Sequence, residues 1–309
     1  MKRLILKLVI LTLLILSSDI IIGILLRPLI SKIPNGRYFK IYHTFYKTDA
    51  EMVLIGSSAC ETGVNPEILE KQLGLTVWNG ARGDQTLLYF EVATDKLLER
   101  KKVKTIVYFI ESMRFETEID ISGISQLKPL TIVDKSLIPY ISQGRKLEEY
   151  FLKSNLYACN SLSYYLIRPM LSSKSIDGGV ETKGQKVKIG SKSSLLNYKY
   201  KGISFKGVYN QQKVDRYLMM FKKCRDQNVN VIVITLPRCN PPYELSRTID
   251  TLKSMQDEGL FRYFDYYTDQ RFIHKPEFFY DEGHFNKEGA NYFSEILAKD
   301  LFDSCSLRK

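Results

Sequence analysis

Apolar residues along this chain fall into two regimes. From Leu4 to Leu26 they follow one another almost without a break, interrupted by Lys7, Asp19 and a few small residues. A helix of that length, at about 1.5 Å per residue, spans the roughly 30 Å apolar core of a bilayer. Beyond residue 50 the apolar residues come instead in short runs bounded by turn formers: MVLIG at 52–56, LTVWNG at 75–80, KTIVYFIE at 104–111 and NVIVITLP at 230–237. Runs rich in Val, Ile and aromatics, without polar alternation, predict strands buried on both faces. LFRYFDYY at 260–267 is a candidate last strand.

Between these runs the apolar spacing changes to three and four. NPEILEKQLG (65–74) predicts a helix capped by Asn65, with Pro66 at its first position and Gly74 as its stop, and DQTLLYFEVATDKLLERKK (84–102) predicts another with Asp84 as its N-cap. Helices are also predicted over 211–228, 243–259 and 286–302, the last with Tyr292, Phe293, Ile296, Leu297 and Leu301 on one face. Strands alternating with helices predict an α/β fold with a mainly parallel sheet covered on both faces, a three-layer α/β/α sandwich. The alternation stops after Ser112 and resumes near Gln211. In between, helical-looking segments over 134–171 give way to a Ser-, Gly- and Lys-rich stretch over 172–202. This reads as an insertion with a helical half and a basic half. The expected organisation is an N-terminal transmembrane anchor over 1–27, a linker over 28–49 and an α/β domain over 50–309 carrying an insertion at 115–205.

The balance of 44% hydrophobic and 26% charged residues is that of a globular protein and excludes a disordered chain. Lys and Arg outnumber Asp and Glu by 45 to 34, a net charge of +11 that favours anionic partners. The N-terminal segment narrows the choice. Lys2 and Arg3 ahead of the apolar run predict a cytoplasmic N-terminus, a single pass through the cell membrane and an extracytoplasmic body, so nucleic acid is not an expected partner. A cleaved signal peptide is the competing reading. The lack of an A-x-A-like site and the return of apolar character at Ile20 favour the anchor. In the basic half of the insertion, Lys174, Lys183, Lys186, Lys188, Lys192, Lys199 and Lys201 stand against Asp177 and Glu181. That half is either a solvated loop or a cover that attracts an anionic glycan or lipid headgroup. Cys60, Cys159, Cys224, Cys239 and Cys305 show no C-x-x-C spacing, and His43, His274 and His284 are the only histidines. Neither a disulfide framework nor a His-rich metal site is expected, and no metal or cofactor.

In open α/β sheets ligands lie beyond the carboxyl ends of the strands. The polar clusters fall there: GSS after the first run, NGARGDQT after the second, ESMRFE after the third and LPRCNPP after the fourth, with FFYDEGHFNKEG (278–289) ahead of the last helix. A serine nucleophile needs a hydroxyl at a strand-to-helix turn, a base within reach, a group that orients the base, and donors for the oxyanion. Ser57 or Ser58 supplies the hydroxyl. His284 is the histidine of a polar, glycine-flanked loop, and Asp281 three residues earlier can fold back onto its Nδ1. Each residue has a plainer use as well: Ser58 as a helix cap, His284 as a structural loop histidine, Asp281 and Asn286 as turn formers or caps. Their joint occurrence favours chemistry. Cys60, two residues past Ser58, falls inside the following turn, and His43 and His274 receive no role.

IGSSACETG, NGARGDQT and DEGHFNKEG resemble the first, second and last blocks of the SGNH (GDSL-like) hydrolase superfamily. The resemblance implies a flavodoxin-like sandwich in which Ser58 is the nucleophile, His284 the base, Asp281 the orienting acid, and the N–H groups of Ser58 and Gly83 the oxyanion hole. Ser57 stands where that family usually has Asp. With its N-terminal anchor and long insertion, the G-S-S variant is similar to the branch associated with cell-surface polysaccharide acylation and D-alanine transfer. What this implies is an esterase or O-acyltransferase acting on an acylated glycan or envelope polymer, with a membrane-bound acyltransferase as a candidate partner and no cofactor. The resemblance covers most of 50–112 and 229–303. The third block departs from it: the Asn of G-x-N-D is missing where FIESMRFE stands. Ser112 and Arg114 are candidate replacement donors, and Ser57 and Asn79 complete the auxiliary set. The missing Asn also keeps open a non-catalytic accessory protein that holds a polymer or a membrane acyltransferase.

Overall fold

The structure, a computed structural model, describes residues 1–118, 123–159, 164–171, 181–191, 207–241, 246–256 and 259–304. They fall into two compact units, Met1–His43 with Ile121–Gly178, and Thr44–Asp120 with Gly179–Lys309. In chain order the helices and strands are α1 (Lys2–Ser31), α2 (Gly36–Tyr46), β1 (Met52–Ile55), α3 (Ser58–Gly63), α4 (Pro66–Leu73), β2 (Val77–Asn79), α5 (Leu87–Arg100) and β3 (Thr105–Phe109). Short helices follow: α6 (Ile138–Ser142), α7 (Lys146–Phe151), α8 (Asn155–Cys159) and α9 (Tyr164–Leu171). The chain continues through β4 (Glu181–Thr182), β5 (Gln185–Lys186), α10 (Gln211–Asp226), β6 (Asn230–Thr235), α11 (Arg247–Gln256), β7 (Arg262–Asp265), β8 (Phe279–Asp281), β9 (His284–Phe285) and α12 (Lys287–Asp303).

The second unit is built on a five-stranded sheet of order β2-β1-β3-β6-β7, every pair parallel. Counted along the sheet's own strands this is 2-1-3-4-5, the flavodoxin-like doubly wound order. Val53 lies opposite Ile106, Ile106 opposite Val231, and Val233 opposite Tyr263. Alternate residues along each strand serve opposite faces. Met52, Leu54, Val107, Phe109, Ile232 and Ile234 pack into one core with Leu69 of α4 and Phe293, Leu297 and Leu301 of α12. On the other face Tyr108 stacks on Phe90 of α5 and tilts against Phe221 of α10, and its hydroxyl sits 2.6 Å from Thr94 Oγ1. Burial on both faces is why these strands read as unbroken apolar runs.

Local signals set most boundaries. Asn65 caps α4 by accepting from the Glu67 N–H at 3.0 Å, Pro66 opens the helix, and Gly74 closes it at φ +68. Asp84 is not the N-cap of α5. The helix starts at Leu87 with Thr86 in the cap position, and Asp84 sits at φ +60. The loop after β2 needs a left-handed residue there, and Asp is one of the few non-glycine residues that tolerates it. Within the basic stretch, 172–180 and 192–206 lie outside the described residues, and with them Lys174, Asp177, Lys192, Lys199 and Lys201. The described part, β4 and β5, is an antiparallel hairpin laid along β2: Asn79 N–H donates to Lys183 O at 3.0 Å. Lys183 pairs with Glu70, and Lys188 lies 4.9 Å over the Tyr280 ring. Gly184 makes the hairpin turn at φ +84, and a Cβ there would stand 2.1 Å from Asn79 O.

The first unit is helical. The most apolar 18-residue window of α1 has a mean hydropathy of 2.7 and is 6% buried, so the helix is long and apolar enough to cross a membrane. A membrane anchor and a signal sequence share that property. Its second half carries contacts. Asp19 accepts from Ser154 Oγ at 2.6 Å, the Leu156 N–H at 2.9 Å and Asn155 Nδ2 at 3.1 Å, while Arg27 Nε donates to Ile132 O at 3.1 Å. Leu26, Ile30 and Ile33 are buried, as are Leu127, Leu130, Ile138, Leu152 and Leu166 of the same unit.

Gly289 in the first turn of α12 leaves no room for a side chain, since a Cβ would stand 2.0 Å from Phe278 O. Gly289→Ala is expected to destabilise the second unit by about 2–3 kcal/mol through forced displacement of backbone, measured as a lower denaturant midpoint at unchanged slope.

Candidate active site

β1 ends at Ile55, and the chain turns through Gly56 and Ser57 into α3. The turn is tight: a Cβ on Gly56 would meet Cys60 Cβ at 2.6 Å and Phe109 Cβ at 3.0 Å. Ser57 holds the N-cap position of α3 without a side-chain capping bond, because its hydroxyl donates to Glu111 Oε1 instead. Ser58 is the first residue of the helix, and its Oγ lies 2.7 Å from His284 Nε2. Ser58 is therefore not spent on capping. Cys60 is fully buried, inside the helix turn as expected.

His284 reaches Ser58 from a two-stranded ribbon, β8–β9, in which Asp281 and His284 are cross-strand partners. Asp281 Oδ1 lies 2.6 Å from His284 Nδ1 and also accepts from the Gly283 N–H at 3.2 Å, which fixes the turn between them. An ionised carboxylate can only accept, so the imidazole proton belongs on Nδ1 and Nε2 is left to accept from the Ser58 hydroxyl. The His284 and Asp281 side chains are 30% and 28% exposed. Asn286, the next residue but one, caps α12 by accepting from the Gly289 N–H at 2.9 Å.

These residues border a cavity of about 220 Å³ at the carboxyl ends of β1, β3 and β6, lined among others by Ser57, Ser58, Glu111, Ser112, Arg238 and His284. That is the point between β1 and β3 where the strand order reverses, the usual ligand position in such sheets. Ser112 is buried on the cavity wall. Arg114 is turned to Glu111, with Nη2 3.0 Å from Oε2, and does not line the cavity. Asn79 is fully buried in a structural role: its Nδ2 donates to Cys60 O and Val64 O at 3.0 and 3.2 Å, and its Oδ1 accepts from the Ala81 N–H at 3.1 Å.

Gly83 lies where the resemblance puts it, beside Ser58; a Cβ on Gly83 would be 3.6 Å from Ser58 Cβ. Its N–H, however, is already engaged, donating to Glu61 Oε2 at 3.0 Å, while Arg82 Nη1 lies 3.5 Å from Glu61 Oε1. Glu61 sits one turn after Ser58 on α3 and is 5% exposed, so the expected oxyanion donor faces an internal carboxylate.

Three residues of the site were missed by sequence reasoning: Glu61, Glu111 and Arg238. Glu111 stands at the end of β3. Burial pushes its carboxyl up, but Arg114, the Ser57 hydroxyl, Arg238 and His284 together outweigh this and hold it below the ordinary value of 4.5. Arg238 follows β6, lines the cavity and buries its Nε without a hydrogen bond among the described residues. The carboxyl-end rule pointed to ESMRFE and LPRCNPP as segments, and Glu111 stood in the third block without a role assigned to it. The signal for Glu61 was a lone acid in a short run of small residues, one helical turn past Ser58. His43 packs against Phe39 at 5.5 Å and His274 bonds Asn240 at 3.0 Å, neither at the cavity.

No family model matches the chain, and no curated protein sequence matches it. Among solved structures it is similar to a protein of Bacteroides fragilis described as an acylhydrolase, at 12% identity and a TM-score of 0.42, over 90% of this chain and 95% of that one. A GDSL-like lipase of Bacteroides thetaiotaomicron aligns at 10% identity and 0.39, over 84% and 90%. An acetyl xylan esterase aligns at 11% identity and 0.40, over 82% and 98%.

Glu61→Ala strips the buried Arg82 of its acid and is expected to cost about 3 kcal/mol of stability, read from denaturant unfolding. Glu111, whose folded pKa is depressed, contributes stability that is present above its ordinary value and lost as pH falls through the lower folded one. Glu111→Gln should therefore flatten the loss of stability as pH falls below the ordinary value of 4.5, seen by comparing thermal midpoints of the two proteins above and below that pH.

Proposed function

We propose that this protein is a membrane-anchored, extracytoplasmic serine esterase or O-acyltransferase acting on acyl groups of a cell-envelope polysaccharide. The observation that carries the reading is the unbroken chain Ser58 Oγ, His284 Nε2, His284 Nδ1, Asp281 Oδ1, with links of 2.7 and 2.6 Å, at the mouth of a cavity. In this reading Ser58 Oγ attacks an ester carbonyl and its proton passes to His284 Nε2. Asp281 stabilises the imidazolium so formed and holds the ring in its tautomer. The tetrahedral oxyanion is held by the Ser58 N–H, with Ser112 and Arg238 as donors on the cavity wall. As the C–O bond breaks, His284 returns the proton to the leaving alcohol, leaving an acyl-enzyme on Ser58. Water resolves it in an esterase and a sugar hydroxyl in a transferase, in each case giving a proton to His284 and restoring the Ser58 hydroxyl.

α1 supports the anchored part of the reading by its length and composition, and the net charge of +11 fits an anionic envelope polymer. One observation favours a second reading, a non-catalytic accessory protein that binds a polymer or a membrane acyltransferase: the Gly83 N–H is occupied by Glu61.

The two readings part on covalent labelling. A fluorophosphonate probe should label the wild type and not Ser58→Ala; equal absence of label in both favours the accessory protein. Asp281→Asn is expected to keep the fold and lower the labelling rate by on the order of 10⁴, measured as the time course of probe incorporation.

A further inference from the structure

Resting on the reading of α1 as a membrane anchor, we infer that the helical half of the insertion, α7 to α9, is seated in the lipid headgroup region of the membrane that α1 crosses. The contact that sets its depth is Asp19. This residue stands about 26 Å along α1 from Lys2 at 1.5 Å per residue, close to the thickness of an apolar bilayer core of roughly 30 Å. A carboxylate at that level needs donors, and all three come from one place, the Ser154–Leu156 segment at the start of α8. One turn further along α1, Gly23 allows the same segment to approach closely. A Cβ there would overlap Asn155 Nδ2 at 2.6 Å, and small residues at such a contact are typical of helices packed in membranes. α8 is thereby fixed to α1 within the last third of the apolar span, about 10 Å short of Leu26.

The helices on either side of α8 turn apolar faces outward. On α7, Leu147, Tyr150 and Phe151, at i, i+3 and i+4, are 74%, 70% and 47% exposed. On α9, Tyr164, Ile167 and Leu171, at i, i+3 and i+7, are 54%, 42% and 82% exposed. α9 is held in the same unit by Arg37, whose guanidinium lies 4.3 Å from the Tyr165 ring. Exposed Arg145, Lys146, Lys153 and Arg168 interleave with these apolar residues, against the exposed acid Glu149. Exposed aromatic and aliphatic side chains with Lys and Arg among them suit the boundary between acyl chains and anionic headgroups. The same half of α1 also exposes Ile20, Ile21, Ile24 and Leu25. Lipid is the occupant that these exposed apolar residues, the basic residues among them and the anchoring of α8 to α1 fit.

The test uses the full chain reconstituted in vesicles of phosphatidylcholine and phosphatidylglycerol, with acyl chains brominated either near the headgroup or near the chain end to quench tryptophan at either depth. Trp78 is the only native tryptophan and is 8% exposed, so it gives a constant background. Leu147→Trp and Leu171→Trp place reporters on the two exposed faces, Leu11→Trp reports on α1, and Met219→Trp, at a 71% exposed position of the second unit, is the aqueous control. The added emission at 147 and 171 is expected to fall roughly twofold with bromines near the headgroup, and that at 11 with bromines near the chain end, with no change at 219. Quenching at 11 without quenching at 147 or 171 overturns the seated insertion and leaves the anchor standing. No quenching at 11 overturns the anchor and the inference with it. Shielding of 147 and 171 from aqueous acrylamide without lipid quenching also overturns it, and identifies a second copy or another membrane protein as the cover.

Discussion

Parallel pairing of β1 with β3, from Met52 against Thr105 to Ile55 against Tyr108, is the constraint on which the candidate site rests. Because β2 lies on the far side of β1 and β6 on the far side of β3, the chain leaves the carboxyl ends of these two strands in opposite directions. A crevice is left between the departing segments. Ser57 and Ser58 enter it from β1, Glu111 and Ser112 from β3, and Arg238 from the neighbouring β6. Any register shift in the pair would carry the serines away from Glu111 and out of reach of His284, which arrives on a separate ribbon.

That ribbon has its own logic. Asp281 and His284 are opposite each other across β8–β9, so their contact is set by backbone pairing rather than by two free side chains meeting. The Asn286 cap and the close approach of Gly289 to Phe278 then fix the ribbon to the start of α12, whose apolar face is part of the main core. The base is held by the same packing that stabilises the domain, which restricts its motion relative to Ser58.

The electrostatics of the site are organised as two acid–base pairs beside the Ser58–His284–Asp281 chain. Glu61 answers Arg82 and takes the Gly83 N–H, and Glu111 answers Arg114 and takes the Ser57 hydroxyl. Each carboxylate thus holds a group that the resemblance would associate with chemistry. Arg238 is the cation of the cavity wall with a buried Nε left without a hydrogen bond among the described residues. In the first unit the half-buried carboxylate of Asp19 likewise finds its partners at one place, the start of α8.

The sequence by itself determined the parts whose signal is local. Unbroken Val- and Ile-rich runs marked β1, β3 and β6, because a strand buried on both faces has no polar side to show, while the edge strands β2 and β7 were marked by short runs with aromatic residues. The Asn65, Pro66 and Gly74 signals marked α4, and Ser58, Asp281 and His284 stood out by their turns and spacing. Asp84 misled because its side chain suits a helix cap as well as a left-handed turn, and only the path of the loop over β2 decides between them. What only the tertiary structure decided is which partners meet. That the Gly83 N–H goes to Glu61, that Ser57 goes to Glu111, and that Arg114 turns from the cavity while Arg238 lines it depend on side chains from different strands converging across the sheet. Those distances are set by register and packing, which leave no periodic trace in the order of residues.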